Sequence, residues 1–241
     1  MHTDHSDCPS LSSVPESIIQ MDSLKIYAKN CNCFVQGLNK SLTMLPELEV
    51  RIDELKGSNL ALFQAVNVTK LTLYGFENVK SVEEVQRNKL DGKQGLKELN
   101  LHWEHPHRVQ EDNEVLGSLM PPSTIETLKL YGYNSAIFLD WLMGIPPYNF
   151  PNLVSISLDN LDNCISLPPL GQLLSLKKLE LTGMKRVAKI DEEFCGVAVA
   201  FPCLENFSLH GMPNLRVWRT TYSYRGDGVS RYMFPCLRVL E

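Results

Sequence analysis

The chain has 241 residues, of which 44% are hydrophobic and 21% are charged, an ordinary balance for a protein that folds around a core. Its formal net charge is -5, and no basic block is present that could neutralise a run of phosphates, which argues against nucleic acid as a partner. The sequence has no stretch of about eighteen apolar residues, and its N-terminus is polar where a signal peptide would be apolar. It therefore predicts no membrane span and a cytoplasmic location.

The cysteines form an odd set without a CxxC pair, in a chain too large to need a disulfide framework. We expect reduced thiols, several of them small core residues. The seven residues are Cys8, Cys31, Cys33, Cys164, Cys195, Cys203 and Cys236.

An eleven-residue phrase repeats along the chain, with apolar residues at its first, fourth and sixth positions, then a turn and another apolar residue. Its six clear copies begin at Val68, Leu96, Ile125, Leu153, Leu176 and Leu204. The intervals of 28, 29, 28, 23 and 28 residues lie in the range of leucine-rich repeats. The spacing predicts an α/β leucine-rich-repeat solenoid, a horseshoe with a parallel concave sheet and an irregular or short-helical convex side. Such an array builds a surface, so recognition of another macromolecule is the leading functional hypothesis.

The beginning of the chain carries this phrase only weakly. Residues 1–10 are predicted to form a polar N-terminal tail, and residues 11–67 to hold two degenerate repeats with poorer flanks. The apolar positions of these two repeats are Met21, Leu24, Ile26, Leu45, Leu48 and Val50. Residues 68–241 are assigned to the main array. We expect this array to be truncated at its C-terminus, because the phrase starts again in CLRVLE and the chain stops.

Within the main array, each phrase is predicted to be a short strand, because its fourth and sixth residues follow the period of two that sends alternate side chains to one face. The crossovers of some twenty residues allow these strands to lie parallel. Helices are predicted from Val82 to Leu90, from Asn113 to Met120 and from Ile137 to Met143. In four copies a glycine marks the corner after the strand: Gly75, Gly132, Gly183 and Gly211.

Four stretches carry a more specific pattern than the leucines alone. They are VPESI at 14–18, FENVKSVEEVQRNKLDGKQGLKELNLHW at 76–103, CISLPPLGQLLSLKKLELTGM at 164–184 and FPCLENFSLHGMPNLRVW at 201–218. Together they resemble plant nucleotide-binding leucine-rich-repeat disease-resistance proteins of the coiled-coil class. The resemblance implies a region that recognises a pathogen effector or a guarded host protein in plant defence. It also implies contacts that restrain the nucleotide-binding module of the same receptor.

The sequence departs from that family by omission. The GxxxxGK[ST] phosphate loop is absent, so we expect no nucleotide or other cofactor on this polypeptide. VPESI resembles the tail of one repeat and CLRVLE the start of another, so we expect a fragment or a truncated product of a longer receptor. Two alternatives stay open. One is a stand-alone truncated adaptor or decoy that binds a host protein, and the other is a non-functional fragment.

Residues between the core positions of each strand are predicted to stack from repeat to repeat on the concave face, where aromatic, histidine and charged side chains resemble a protein-binding surface. The alternative interpretation is that they only cover the sheet. The candidates are Thr72, Tyr74, Asn100, His102, Trp103, Lys129, Tyr131, Ser157, Asp159, Lys178, Glu180 and His210.

The sequence gives less support to metal binding and to catalysis. His102, His105 and His107 lie in HWEHPH, but Pro106 interrupts them and no Cys pair is near, so we expect a solvated loop and no metal. The GxSxG, HExxH and GxGxxG motifs are absent, and no enzymatic function is predicted. The charge run Asp191–Glu193 is predicted to be solvated surface.

Overall fold

A ten-stranded parallel sheet is the basis of the fold. The computed structural model describes residues 2–4, 25–28, 45–51, 68–79, 81–86, 89–104, 109–133, 135–136, 138, 142, 150–196 and 199–241. The strands in this part of the chain are β1 His2–Asp4, β2 Lys25–Ala28, β3 Leu45–Arg51, β4 Val68–Tyr74, β5 Glu98–His102, β6 Thr127–Tyr131, β7 Ser155–Asp159, β8 Lys178–Thr182, β9 Lys189–Ile190, β10 Asn206–His210, β11 Val217–Trp218, β12 Thr221–Ser223, β13 Ser230–Tyr232 and β14 Val239–Leu240.

The order of strands in the sheet follows the order of the chain, β1-β2-β3-β4-β5-β6-β7-β8-β10-β14. Every neighbouring pair is parallel, and from β4 to β10 the register repeats without a shift. The fourth positions of the six phrases form one row across the sheet: Leu71, Leu99, Leu128, Ile156, Leu179 and Phe207. The predicted fold class, a leucine-rich-repeat solenoid with a parallel sheet, is confirmed.

The same sheet extends towards the N-terminus. Strands β2 and β3 lie in the segment assigned to degenerate repeats, where Leu48 stands opposite Ile26 on one side and Leu71 on the other. Strand β1 lies in the segment assigned to a polar tail and pairs with β2, with His2 opposite Lys25.

The core lies against one face of the sheet, where the first, fourth and sixth positions of the phrase converge. In the first five copies all of these side chains are buried, and in the sixth copy Leu209 is only partly buried. A buried leucine contributes about 1.5–3 kcal/mol relative to an exposed one. Behind the strands the core is closed by large side chains that follow the corners, namely Phe76, Tyr133, Leu161 and Met184.

The corner after five of the six repeated strands has a left-handed backbone, which most residues avoid. The four corner glycines have φ between 60° and 75°, and Asn160 takes the same left-handed conformation with φ 56° in the fourth copy. At Gly132 the corner is also crowded, since an added Cβ would lie 2.4 Å from the carbonyl oxygen of Trp103. The Gly132 N–H donates to the carbonyl oxygen of Asp159 at 2.9 Å, which continues the sheet ladder past the end of the strand.

The convex side holds three short α-helices in the described residues, α1 Val82–Gln86, α2 Val109–Ser118 and α3 Glu192–Cys195. It also holds the 3-10 turns Phe76–Asn78, Leu90–Gly92, Leu170–Gln172 and Tyr224–Gly226. The longest of the helices has ten residues, and no helix of the described part has both the length and the apolar character needed to cross a membrane.

The predicted helices differ from the observed ones at their ends. Helix α1 begins at Val82 as predicted, but α-helical structure ends at Gln86, and Lys89 takes a left-handed φ of 44° before the turn at Leu90. Helix α2 begins at Val109, four residues before the predicted start, because the polar stretch ahead of Asn113 includes good helix formers such as Gln and Glu. The third predicted helix, 137–143, lies almost entirely outside the described residues.

Helix α3 was not predicted. The carboxylate of Asp191 accepts a hydrogen bond from the backbone N–H of Glu193 at 3.2 Å, and Gly196 ends the helix with φ 69°. Part of the charge run that was predicted as solvated surface is therefore an N-cap, which satisfies a backbone donor that the helix leaves free.

The crossover between β10 and β14 contains an antiparallel hairpin that the repeat pattern did not predict, formed by β12 and β13. Its turn is held by the Arg231 guanidinium, which donates to both Asp227 carboxylate oxygens at 3.1 and 2.8 Å. The hairpin is anchored to the preceding repeat by Tyr222, whose hydroxyl accepts a hydrogen bond from the backbone N–H of Ala200 at 2.9 Å.

The core assignment predicts a large cost for Leu179→Ala. Leu179 is fully buried between Ile156 and Phe207 in the row of fourth positions, so we expect a loss of about 2–5 kcal/mol in the free energy of unfolding. Leu174→Ala, in the crossover just before β8, is the matched control, because that leucine is 47% exposed. Urea unfolding followed by circular dichroism measures both variants. Equal losses would contradict the assigned register.

The corner geometry predicts that Gly132→Ala destabilises the chain. A left-handed backbone costs an L-residue about 1–2 kcal/mol, and the contact with the Trp103 carbonyl adds to this cost. Gly92→Ala is the control, because a Cβ added at Gly92 meets nothing within 4 Å. The difference in urea midpoint between these two variants is the test, and indistinguishable midpoints would contradict the prediction.

Candidate functional site

The candidate site is the solvent face of the sheet, by which we mean the third, fifth and seventh positions of the phrase on strands β4 to β8 and on β10. Because the strands are in register, equivalent residues form rows that run across the strands. The seventh positions form the row Tyr74, His102, Tyr131, Asp159, Thr182 and His210. On an in-register parallel sheet, neighbours in a row are about 4.8 Å apart.

Three aromatic rings stack at one end of this row. The ring centroids of Tyr74 and His102 are 4.7 Å apart, those of His102 and Tyr131 are 5.5 Å apart, and both pairs are tilted by 31°. Tyr74 and His102 are half-buried, while Tyr131 has 40% of its surface exposed. Stacked rings hold one another in place, so this patch offers rigid apolar area with polar edges.

The surroundings of the His102 imidazole favour its neutral form. Burial lowers its pKa below the usual 6.5, the Lys129 charge lowers it further, and the Glu104 charge opposes this effect. The desolvation follows from its position between two tyrosine rings, which exclude water from both faces of the imidazole.

A charge network centred on Glu98 lies beside the aromatic rings. Its Oε1 atom is 3.6 Å from Lys70 Nζ and 3.4 Å from Lys129 Nζ, and it accepts a hydrogen bond from Asn100 Nδ2 at 3.1 Å. Burial acts to raise the pKa of Glu98, but the bond from Asn100 and the two lysines outweigh it and lower the pKa. Exposed pairs of this kind contribute little to stability, about 0–1 kcal/mol each, so their main effect is to fix the pattern of charge.

Two of the predicted contact residues are covered by their neighbours. Asn100 and Thr72 are only 5% and 3% exposed, and Asn100 Nδ2 also donates to Thr72 Oγ1 at 3.1 Å. Their position on this face agrees with the alternation of the strand, but Asn100 Nδ2 and Thr72 Oγ1 bond to each other across the strands, while Asn100 Oδ1 is buried without a hydrogen-bond partner among the described residues. Both side chains are therefore largely shielded from solvent.

The other end of the face is more polar. Lys178 Nζ and Glu180 Oε1 are 2.8 Å apart, and hydrogen bonds from Lys178 and Ser157 help to lower the pKa of Glu180. Burial raises the pKa of Asp159, the backbone N–H of Asn160 lowers it, and the Glu180 charge raises it further. His210 is exposed at the end of its strand.

The prediction that Trp103 lies on the exposed face is wrong. Trp103 is 1% exposed and packs in the core, with ring centroids 5.0 Å from Phe76 and 5.3 Å from Tyr133. The reason is the period of two, because Leu99, Leu101 and Trp103 share one side of the chain. Trp103 takes the place of the corner glycine in its copy, which brings a large side chain into the core where other copies have none.

Of the third positions of the strands, only Lys178 was among the predicted site residues. Lys70 and Glu98 lie on the same face and take part in its central charge network. The signal was available, because the period of two that selected the fifth and seventh positions also selects the third.

The described residues offer little to a metal ion or a nucleophilic mechanism. His105 and His107 lie outside them, and no group of three His, Cys, Asp or Glu in the described ranges is placed to hold a metal. Four described cysteines are free thiols. Burial raises the pKa of Cys164 and of Cys195 to about 12, which keeps both thiols protonated and unreactive.

The repeated strand, the corner and the continuous polar face define a leucine-rich-repeat protein. The sequence profile of the family described as R13L1/DRL21 LRRs matches residues 59–184, just over half of the chain. The chain belongs to this family.

Several relatives from plants are similar to the chain. A putative disease resistance protein RGA1 of Solanum bulbocastanum is 30% identical over 208 residues, which cover 86% of this chain and 19% of the relative. A putative disease resistance RPP13-like protein 1 of Arabidopsis thaliana is 30% identical over 189 residues, which cover 71% and 17%. The disease resistance protein RGA2 of Solanum bulbocastanum is 30% identical over 164 residues, which cover 66% and 16%. The chain spans under a fifth of the length of these relatives.

The environment of His102 predicts a histidine that resists protonation. We expect its pKa, followed by NMR of the imidazole carbon-bound protons, to lie below 6.5, and we expect Lys129→Met to raise it by removing a nearby positive charge. Because the folded pKa lies below the unfolded one, His102 contributes stability that is complete above pH 6.5 and is lost as the pH falls through the folded pKa. A pKa above 6.5 would contradict the stacked geometry.

Proposed function

We propose that the solvent face is the ligand-recognition surface of a plant disease-resistance receptor, acting in the defence response by protein–protein interaction. The observation that carries the proposal is the rigid stack of Tyr74, His102 and Tyr131 beside the charge network of Glu98. Tyrosine is enriched at the energetic centres of interfaces, and a surface that is already ordered loses little entropy on binding. Three relatives named as disease resistance proteins supply the biological setting.

The partner in this proposal is a pathogen effector or a guarded host protein, and the binding takes place in the cytoplasm. The distribution of charge favours a protein partner. Lysines and carboxylates alternate along the face, and two of the lysines are held at one carboxylate, at 3.6 and 3.4 Å from Glu98. A nucleic acid would instead require a continuous basic surface. The role is binding without catalysis, and the buried, protonated thiols of Cys164 and Cys195 are consistent with it.

We further infer an autoregulatory contact. The relatives are more than five times as long as the region that they share with this chain, which leaves room for the nucleotide-binding module that the sequence resemblance implies. In this scheme the array holds that module in its resting state, and a ligand that binds the released state more tightly shifts the equilibrium by its difference in affinity. A shift from about 1:99 to 99:1 requires a difference of about 5.5 kcal/mol.

The combined variant Lys129→Glu, Lys178→Glu and Tyr131→Ala tests the recognition surface. These side chains are exposed on β6 and β8, the strands on either side of β7, so the variant alters the charge and the aromatic area of the face without removing core residues. In proximity labelling from the full chain in challenged leaf tissue, we expect specific partners to lose labelling by about tenfold or more, equivalent to about 1.4 kcal/mol.

A matched variant away from this face is the control. Arg186→Glu, Arg225→Glu and Tyr232→Ala reverse two positive charges and remove one tyrosine ring at exposed positions outside the ten-stranded sheet. This variant is expected to label the same partners as the unaltered chain. Circular dichroism and the unfolding midpoint verify that both variants fold. Equal labelling by all three chains would refute the solvent face as the recognition surface.

A further inference from the structure

The charges on the solvent face are not all matched. Glu98 has Lys70 and Lys129 within 4 Å, and Glu180 has Lys178 at 2.8 Å. Asp159 has no ion pair with any residue in the described part of the chain. Besides burial, the groups that shift its pKa are the backbone N–H of Asn160, which is neutral, and Glu180, which carries a like charge. A carboxylate thus stands on this face without a cation of its own.

The unmatched carboxylate lies next to the exposed end of the aromatic stack. Asp159 on β7 stands directly opposite Tyr131 on β6, and Tyr131 in turn stands opposite His102 on β5. Tyr131 has only one ring neighbour on this face in the described residues, so its side towards Asp159 is not covered by another ring. An aromatic face and a carboxylate on adjacent strands, about 4.8 Å apart at the backbone, can be contacted by one side chain.

The chemistry that fits both groups is a guanidinium. The planar guanidinium of arginine stacks on an aromatic ring, and this attraction extends to about 6 Å from the ring centroid. The same group donates two parallel N–H hydrogen bonds to a carboxylate. Lysine offers a compact, strongly hydrated charge and cannot make the bidentate contact. The neighbouring imidazole of His102 does not repel the cation above pH 6.5, because burial keeps it neutral.

We propose that the solvent face binds an arginine side chain of its protein partner, with the guanidinium lying over the Tyr131 ring and paired with the Asp159 carboxylate. This inference rests on the proposed function, since it names the chemistry of the partner at that surface. It also gives the polar half of the face a role. Lys178 and Glu180 neutralise each other and leave Asp159 as the acceptor of the incoming charge.

Two short peptides test the proposal on the full chain. Acetyl-Gly-Arg-Gly-amide carries the guanidinium, and acetyl-Gly-citrulline-Gly-amide has nearly the same shape without the charge. In NMR titrations of the isotopically labelled chain, we expect the arginine peptide to shift the signals of Tyr131 and Asp159. The citrulline peptide should bind at least about fivefold more weakly than the arginine peptide, as expected for loss of a charge-assisted hydrogen bond.

Asp159→Asn is the decisive variant. Its carboxylate makes no ion pair in the described residues, so the substitution is expected to leave the fold intact, and the unfolding midpoint checks this. The variant should bind the arginine peptide about fivefold more weakly and should no longer distinguish it from the citrulline peptide. Asp162→Asn is the control, because that carboxylate is already paired with Lys185 at 2.7 Å, and it should bind the arginine peptide normally.

The outcomes separate this inference from the broader one. Equal binding of the two peptides, unchanged binding by Asp159→Asn, shifts confined to other surfaces, or no binding at all would overturn the arginine site. If the combined variant of Lys129, Lys178 and Tyr131 still loses its labelled partners, the recognition surface stands without the arginine site. If the peptides behave as expected while labelling does not change, the face binds a guanidinium, but the proposed function fails and the site is not assigned to an arginine of a protein partner.

Discussion

The in-register hydrogen-bond ladder between successive repeats is the constraint on which the rest of the molecule depends. It fixes Leu179 between Ile156 and Phe207, and the same geometry places Asp159 beside Tyr131 on the opposite face. A slip of one residue would turn Leu179 outward and bring a charged neighbour into the core, at a cost of several kcal/mol. Core packing and the order of the exposed rows are therefore two results of one register.

The ladder continues past the strands into their corners, and most of these corners have a left-handed backbone. Glycine supplies it in four copies, and Asn160 supplies it in a fifth with φ 56°. Asparagine is among the few residues that tolerate this conformation, so the fourth copy keeps the turn without a glycine. Trp103 is the exception, and its side chain fills the core between Phe76 and Tyr133. The corner thus has a left-handed residue in five copies and a tryptophan packed in the core in the remaining one.

The sequence was sufficient to predict features that depend on periodicity. A period of two within strands and of 23 to 29 residues between them predicted the parallel sheet, its buried leucines and the rows of the solvent face. It did not predict which members of those rows would be covered. Asn100 and Thr72 are covered because their neighbours across the strands close over them. The hairpin of β12 and β13 and the helix capped by Asp191 depend on specific hydrogen bonds that do not recur from repeat to repeat, so periodicity does not predict them.

Strand β6 shows what this separation of faces permits. Along Thr127–Tyr131, Leu128 and Leu130 are buried while Lys129 and Tyr131 are exposed. Neighbouring residues therefore have different positions: one packs in the core of the solenoid, and the next lies on its solvent face. Substitutions at the exposed positions alter little of the packing, so the chemistry of the solvent face can change one residue at a time while the fold keeps its stability. A gene that encodes such strands can therefore acquire many different surfaces through few steps that unfold the protein.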